Sequence, residues 1–391
     1  MNDIKGREAD RDGRDFELGA APDLPVVVTI SVNNGPISGI AASPDGSRLT
    51  VTNYGRDSVS VIDTDTCQVI ETVAGINEPF AIAMASVEAS LAYVSTVSTA
   101  YDSIGVIDVS TNTVIAFHPL ALSVSDLAVS PDGKYVYASR NGARGADVAV
   151  LDTTTGRVEV IELATAPGTT TECVRISSDG GRLYVGTNGP AGGQLVVIGT
   201  RAPSDDDASR GGGRLRWQRK NSTRSRGKQT GLCVLDAIAI RSPIRDVALS
   251  PNGAIAYVAS CGPDFDAVID VVDTRASKIV GTRKIGEISG IITGLTLSGD
   301  ADRAYLVSDD SITVLCTLTH DVIGTVRAAK QPSCVVESPD GKYLYIADYS
   351  GAVTVAPVAS VIASGLESVA HESDAPAEWT MPELQYEAAL A

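Results

Sequence analysis

The chain has 391 residues and a formal charge of −17, from 31 Lys and Arg against 48 Asp and Glu. That balance implies an acidic surface and speaks against a protein that wraps duplex DNA. No stretch has the length and apolarity of a membrane span, and residues 1–18 are charged with no apolar core, so no secretory signal is expected and the expected location is the cytoplasm.

The six cysteines are scattered and none forms a CxxC pair. Zinc-ribbon and thioredoxin-type sites are thereby excluded, and the thiols are expected to be reduced, mostly small buried hydrophobes.

Residues 1–22 mix charge and glycine without periodicity and are expected to be a disordered tail. Leu24-Pro25-Val26-Val27-Val28-Thr29-Ile30 is then a lone strand. From Ser38 onward one unit recurs. In its fullest form Gly39–Ser43 is a first strand, Pro44-Asp45-Gly46 a turn, Leu49–Asn53 a second strand and Ser58–Asp63 a third. Thr64–Thr66 is a hairpin, and Gln68–Val73 a fourth strand.

The turn is the recurring mark. In Ser130-Pro131-Asp132-Gly133, proline presets φ at the first central position, aspartate suits the second, and glycine takes the left-handed conformation that closes the hairpin. Close copies stand at Ser43–Gly46, Ser250–Gly253 and Ser338–Gly341, with degenerate ones at Ser178-Asp179-Gly180 and Ser298-Gly299-Asp300. Successive turn positions (Pro44, Val87, Pro131, Ser178, Pro251, Gly299, Pro339) recur roughly every 40–50 residues, with one step lengthened by an insertion. Four short strands per unit at that period are the mark of propeller blades.

Seven units fit a closed ring: an all-β, seven-bladed β-propeller of four antiparallel strands per blade over residues 23–357. The seventh unit ends after Ala352–Val355 without a fourth strand. Leu24–Ile30 is expected to supply it and so remove the open sheet edges.

The Ser-Pro-Asp-Gly turns, the strands Tyr-Val-Tyr-Ala at 135–138, Tyr-Leu-Tyr-Ile at 343–346 and Ala-Tyr-Val-Ala at 256–259, Thr52-Asn53, and Val-Ile-Asp-Thr at 61–64 resemble the YVTN-type β-propeller repeat family, over residues 24–357. The resemblance implies a bacterial or archaeal repeat protein and says little of activity. Such relatives include surface-layer proteins, nucleic-acid-associated proteins, and kin of propeller lactonases and quinone- or haem-dependent oxidoreductases.

Two segments interrupt the pattern. The insertion at 200–230 falls between the third and fourth strands of blade four. From Arg210 to Lys228 it carries only basic charge: Arg210, Arg214, Arg216, Arg219, Lys220, Arg224, Arg226 and Lys228, with Trp217 among them. The plain reading is a solvated loop. The functional one is an arm for nucleic acid, anionic lipid or an acidic partner, with Arg214, Arg216, Trp217, Arg219 and Lys220 as its contacts. The tail 358–391 is acidic, with a short helix expected at 382–391.

Propeller topology sends the turns after first and third strands to one face, and the remaining loops to the other, where ligands usually bind. On that second face the expected binding residues are Asn53, Tyr54, Arg140, Arg144 and Tyr349, with Asn141, Asn188, Asp264, Asp309 and Asp348 nearby. Aligning the first strands singles out four charges expected to line the channel: Asp126, Arg175, Asp246 and Glu337. Charges there need partners or a ligand, so an internal ion pair and a ligand site both remain open.

No metal, cofactor or catalytic set stands out. His118 is expected after the fourth strand of blade two, His320 in a hairpin and His371 in the tail, none on a first strand. No haem CxxCH occurs, and Trp217 and Trp379 lie outside the blades. The expected function is therefore non-enzymatic: a monomeric binding or scaffold propeller with its partner at the channel mouth. A propeller-lactonase-type hydrolase is the first alternative, and nucleic-acid binding through the insertion the second.

Overall fold

Each Ser-Pro-Asp-Gly turn closes through the same small set of hydrogen bonds. At Ser130, Gly133 N donates to the Ser130 carbonyl (2.8 Å), Ser130 Oγ to Asp132 Oδ1 (2.7 Å), and Tyr135 N to Ser130 Oγ (2.9 Å). The serine-to-acid contact recurs at Ser43, Ser177, Ser298 and Ser338, and at Ser250 with Asn252 in place of aspartate. Gly133 stands at φ 69, a conformation that costs a side chain but not glycine. In blade six Ala301 fills that position at φ 60.

The computed structural model describes residues 28–85, 91–98, 101–121, 123–142, 145–163, 166–200, 232–262, 267–286, 288, 290–327, 330–359 and 366–367. Seven antiparallel sheets follow one another. Blade one is Ile37–Ala42, Arg48–Asn53, Ser58–Asp63 and Gln68–Ala74. Blade two is Ile82–Met84, Leu91–Thr96, Asp102–Asp108 and Thr113–Leu120. Blade three is Ser123–Val129, Tyr135–Gly142, Gly145–Asp152 and Val158–Glu162. Blade four is Thr170–Ile176, Arg182–Gly189, Gly192–Gly199 and Cys233–Ile240.

Blade five is Ile244–Leu249, Ile255–Cys261, Ala267–Asp273 and Lys278–Ile285. Blade six is Ile292–Leu297, Arg303–Ser308, Ile312–Cys316 and Val322–Arg327. Blade seven is Pro332–Glu337, Tyr343–Asp348 and Ala352–Pro357, completed by Val28–Ser31. That closing strand pairs antiparallel with Ala352–Pro357, Val28 opposite Val355. The first strands touch one another successively all the way round, so they form the inner wall of the ring.

Three details differ from expectation. The described closing strand begins at Val28, since residues 24–27 lie outside the described residues. The fourth strand of blade four runs on to Ile240 rather than ending near Leu235. The stretch Leu366–Glu367, assigned to the tail, pairs parallel with the outer strand of blade six.

The Val-Ile-Asp-Thr motif has a structural reason. After the third strand of blades one, three, four, five and six a threonine hydroxyl donates to the carbonyl at the close of the first turn. Thr64 reaches Gly46 at 2.6 Å, Thr153 reaches Gly133 at 2.9 Å, Thr274 reaches Gly253 at 2.5 Å, and Thr200 reaches Gly180. The two turns of those five blades are thus tied together on one face.

The core is not a single mass but seven layers, one at each blade boundary. Tyr93, Ile104 and Val106 of blade two pack with Leu127, Val136 and Leu151 of blade three. Tyr137 and Val150, pointing the other way, pack with Val174, Leu183 and Ile198 of blade four. Middle strands are buried on both faces, so they read as continuous apolar runs. Outer strands alternate, as Thr113–Leu120 does. Fully burying one such side chain contributes about 1.5–3 kcal/mol.

Candidate functional site

At the mouth opposite the Ser-Pro-Asp-Gly turns six of the seven first strands share one irregularity, blade two pairing without a slip. Pairing with the second strand slips between Val124 and Asp126, Thr171 and Cys173, Ile244 and Asp246, Ile292 and Gly294, and Pro332 and Cys334. Blade one slips between Ile37 and Ile40. A bulge sets two consecutive residues against one partner and re-aims their side chains. Its extra residue is Ser125, Glu172, Arg245, Thr293 or Ser333, with Ser38 in the corresponding place.

Ser125 and Asp126 accordingly both reach blade four. Ser125 Oγ lies 3.0 Å from Thr171 Oγ1, and Asp126 Oδ2 accepts from Val174 N at 2.9 Å. Two blades on, Asp246 Oδ2 accepts from Leu295 N of blade six at 2.8 Å.

Arg175 joins these two carboxylates. Its Nη1 donates to Asp126 Oδ2, and its Nη2 to Asp246 Oδ1 at 2.6 Å. Side-chain exposures are 31% for Arg175, 20% for Asp126 and 12% for Asp246. Burial opposes the arginine charge, but the two aspartates outweigh it and raise its pKa. Burial lifts the Asp246 carboxyl above the ordinary range, against the pull of Arg175. Burial likewise pushes the neighbouring Cys173 thiol well up. Three of the four charges singled out in the first strands therefore meet, with one arginine between two acids.

Glu337 does not join them. It ends its strand beside the Ser338 turn, toward the other face. There Oε1 accepts from Arg303 Nη2 (3.2 Å) and the Tyr305 hydroxyl (3.1 Å), and Oε2 from Gly299 N (2.7 Å). It braces blade seven to blade six. It sits next to the turn, three residues beyond the column that holds Asp126 and Asp246.

The loop candidates also need correction. Arg140 and Asn53 lie within second strands, not loops. The Arg140 side chain is 5% exposed and holds Asp147 through Nε (2.7 Å) and Nη2 (3.0 Å). Asn53 is buried, with Nδ2 on Ser58 Oγ (3.1 Å) and Ser60 Oγ (2.9 Å). Asn141 and Asn188 staple blades: Asn188 accepts from Ile244 N (2.7 Å) and donates to its carbonyl (2.8 Å), and Asn141 treats Thr171 alike. Asp348 caps its own turn through Ser350 and Ala352.

Tyr54 opens a short 3-10 turn, its hydroxyl 3.5 Å from Glu78 Oε2. Tyr349 is half-buried, and burial, with Cys334 and Asp309 nearby, pushes its phenol up to about 12. Arg144, Asp264, and the basic residues Arg214, Arg216, Trp217, Arg219 and Lys220 lie outside the described residues, as do the expected helix at 382–391 and His371. His118 lies within the fourth strand of blade two, not after it, and burial lowers its pKa.

Two residues escaped the sequence reading. Arg245 Nε and Thr293 Oγ1 are buried without a hydrogen-bond partner, one on the bulge of blade five and one on that of blade six. The column just before Asp246 and Gly294 holds both. A one-residue bulge shifts a period-two pattern by one, but at the very end of so short a strand the shift cannot be told from the start of the loop. Among the described residues no three His, Cys, Asp or Glu side chains gather as a metal site, and no helix is long and apolar enough to cross a membrane.

The chain is 62% identical over 398 aligned residues to the seven-bladed β-propeller protein Rv1057 of Mycobacterium tuberculosis, covering 100% of each chain. It is 36% identical over 180 residues to a seven-bladed β-propeller protein of Mycolicibacterium smegmatis, covering 46% of this chain and 48% of that one. Among solved structures, hydrazine synthase of Kuenenia stuttgartiensis superposes with a TM-score of 0.68 at 22% identity, over 89% of this chain and 100% of that chain. That likeness concerns the fold alone. No family model matches the chain.

Proposed function

The chain belongs to the seven-bladed β-propeller protein family, and we propose that it is a binding protein whose ligand or partner sits at the channel mouth opposite the Ser-Pro-Asp-Gly turns. The observation that carries this reading is the bulged position of the first strands. It stands at the same place in successive blades, on a scaffold stapled by Asn141, Asn188 and Asp126, yet its residues differ: Ser125, Glu172, Arg245, Thr293, Ser333. A rigid frame with unlike residues at one rim suits recognition.

Chemistry at the Arg175 cluster is disfavoured by its own bonding. Each aspartate already uses three of its four lone-pair sites, one of them on the arginine cation, which leaves little to take a substrate proton. Asp246 Oδ1 already accepts from Val247 N and Arg175, and Oδ2 from Leu295 N. Asp126 is engaged in the same way with Leu127, Val174 and Arg175. The cluster then serves as the floor beneath the mouth, not as a hydrolytic centre. We assign the repeat to the YVTN type on its turn and threonine bonding.

The test is a thermal-shift screen of the full chain against metals, lactones, quinones, oligonucleotides, carboxylates and phosphates, where a ligand raises the melting temperature by mass action. Hits are repeated on Glu172→Trp, which crowds the rim. A mouth ligand loses at least tenfold in affinity. Binding unchanged in a folded Glu172→Trp protein, or steady lactone turnover, overturns the reading.

A further inference from the structure

We propose that the channel mouth holds an oxyanion, a carboxylate or a phosphate, anchored by Arg245 with Thr293 beside it; this rests on the mouth being the binding face. Arg245 Nε is buried without an acceptor, and its guanidinium makes no hydrogen bond or ion pair with any described residue. Thr293 Oγ1 is likewise buried and unpartnered. A buried donor without an acceptor costs free energy until one arrives, and native structures seldom leave such groups unmet.

The two groups stand on the bulges of adjacent first strands. Asp246 Oδ2 bonds Leu295 N at 2.8 Å, which sets the first strands of blades five and six side by side. Arg245 precedes Asp246 by one residue and Thr293 precedes Leu295 by two, so both stand just above that bond. In blades three and one the bulged residue reaches the next blade: Ser125 Oγ meets Thr171 Oγ1 at 3.0 Å, and Ser38 Oγ donates to the Pro79 carbonyl at 3.1 Å, whereas Glu172 and Ser333 bond within their own strands. We infer that the Arg245 stem follows the pattern of blades three and one and turns toward blade six and Thr293.

Asp246 makes no hydrogen bond to Arg245; its oxygens accept from Val247 N, Arg175 and Leu295 N. A half-buried guanidinium is therefore left with its planar fork open. That fork matches the two oxygens of a carboxylate or phosphate, and the hydroxyl adds a third donor. A chain of net charge −17 repels anions at long range, so an anion that binds does so through local contacts.

The test is calorimetric titration of the full chain with inorganic phosphate and, separately, citrate. One saturable site is expected for at least one of them, and the two arms separate phosphate from carboxylate. Arg245→Gln should weaken it at least tenfold, Arg245→Lys less, Thr293→Val a few-fold, and the exposed Arg241→Gln not at all. Circular dichroism melts check folding; if Arg245→Gln is unfolded, equal affinity of Arg245→Lys and the parent overturns the proposal. So does absence of saturable binding of both anions, or equal binding by Arg245→Gln. If a neutral ligand binds instead and Glu172→Trp expels it, the oxyanion falls and the mouth reading stands. If no ligand responds to Glu172→Trp, both fall.

Discussion

Arg175 Nη2 donates to Asp246 Oδ1 at 2.6 Å across the boundary between blades four and five. Its other terminal nitrogen holds Asp126 of blade three, and Asp246 in turn holds Leu295 N of blade six. Arg175 and Asp246 together thereby tie a run of four blades at the inner wall, where strand edges would otherwise lack partners.

Arg175→Ala should cost about 1–3 kcal/mol at pH 7, less than a fully buried pair because the side chain is partly in water. The pH dependence has a definite sign. The Asp246 carboxyl is already raised by burial, with Arg175 pulling it back. A carboxyl raised in the folded state favours folding while protonated, and that contribution is lost as pH rises through its folded pKa. Removing Arg175 raises it further. The penalty should therefore be small near pH 4 and full by pH 7, read by urea unfolding at both. Asp246→Asn added to Arg175→Ala should recover part of the loss; a pH-independent penalty would refute this account.

Glu337→Ala removes the acceptor for Arg303, Tyr305 and Gly299 at once. A loss of about 2–4 kcal/mol is expected, since it strands a partly buried arginine. Any ligand at the mouth should bind the folded variant as before. Reduced affinity without reduced stability would place Glu337 in a site after all.

Ala301 sits at φ 60 where the five other described turns have Gly46, Gly133, Gly180, Gly253 and Gly341. Ala301→Gly should raise stability by about 0.5–1 kcal/mol, because a left-handed residue pays for its Cβ. The reciprocal change, Gly133→Ala, should lower it by a similar amount. Thermal melts of the two variants should move in opposite directions.

Cys316 ends the third strand of blade six, where Asp63, Asp152 and Asp273 stand in other blades. Hydrogen bonds from Thr319, then Leu318, lower its thiol pKa. Burial instead pushes Cys334 up to about 12. At pH 8 iodoacetamide should label Cys316 well before Cys334 and Cys173, as peptide mapping by mass spectrometry would show. Cys316→Asp should fold with stability within about 0.5 kcal/mol of the parent, since the same donors serve a carboxylate.

The blade count, the turn chemistry and the closing strand were legible in the sequence because each is local. Ser130 to Gly133 builds its turn from its own atoms, and period-two burial shows which strands are interior. The site was legible only in part. Aligned first strands brought out Asp126, Arg175 and Asp246, but the same alignment grouped Glu337 with them and placed Arg140 and Asn53 in loops.

What the sequence by itself determined is the repeating unit, its number and the order of strands within it, since these follow from residue spacing and φ preferences inside about 45 residues. The tertiary structure alone decided which charges meet. Arg175 and Asp246 are 71 residues apart in the chain and bond because consecutive blades turn about one axis. It alone also revealed the bulges that carry Arg245 and Thr293, whose buried Nε and Oγ1 lack a hydrogen-bond partner.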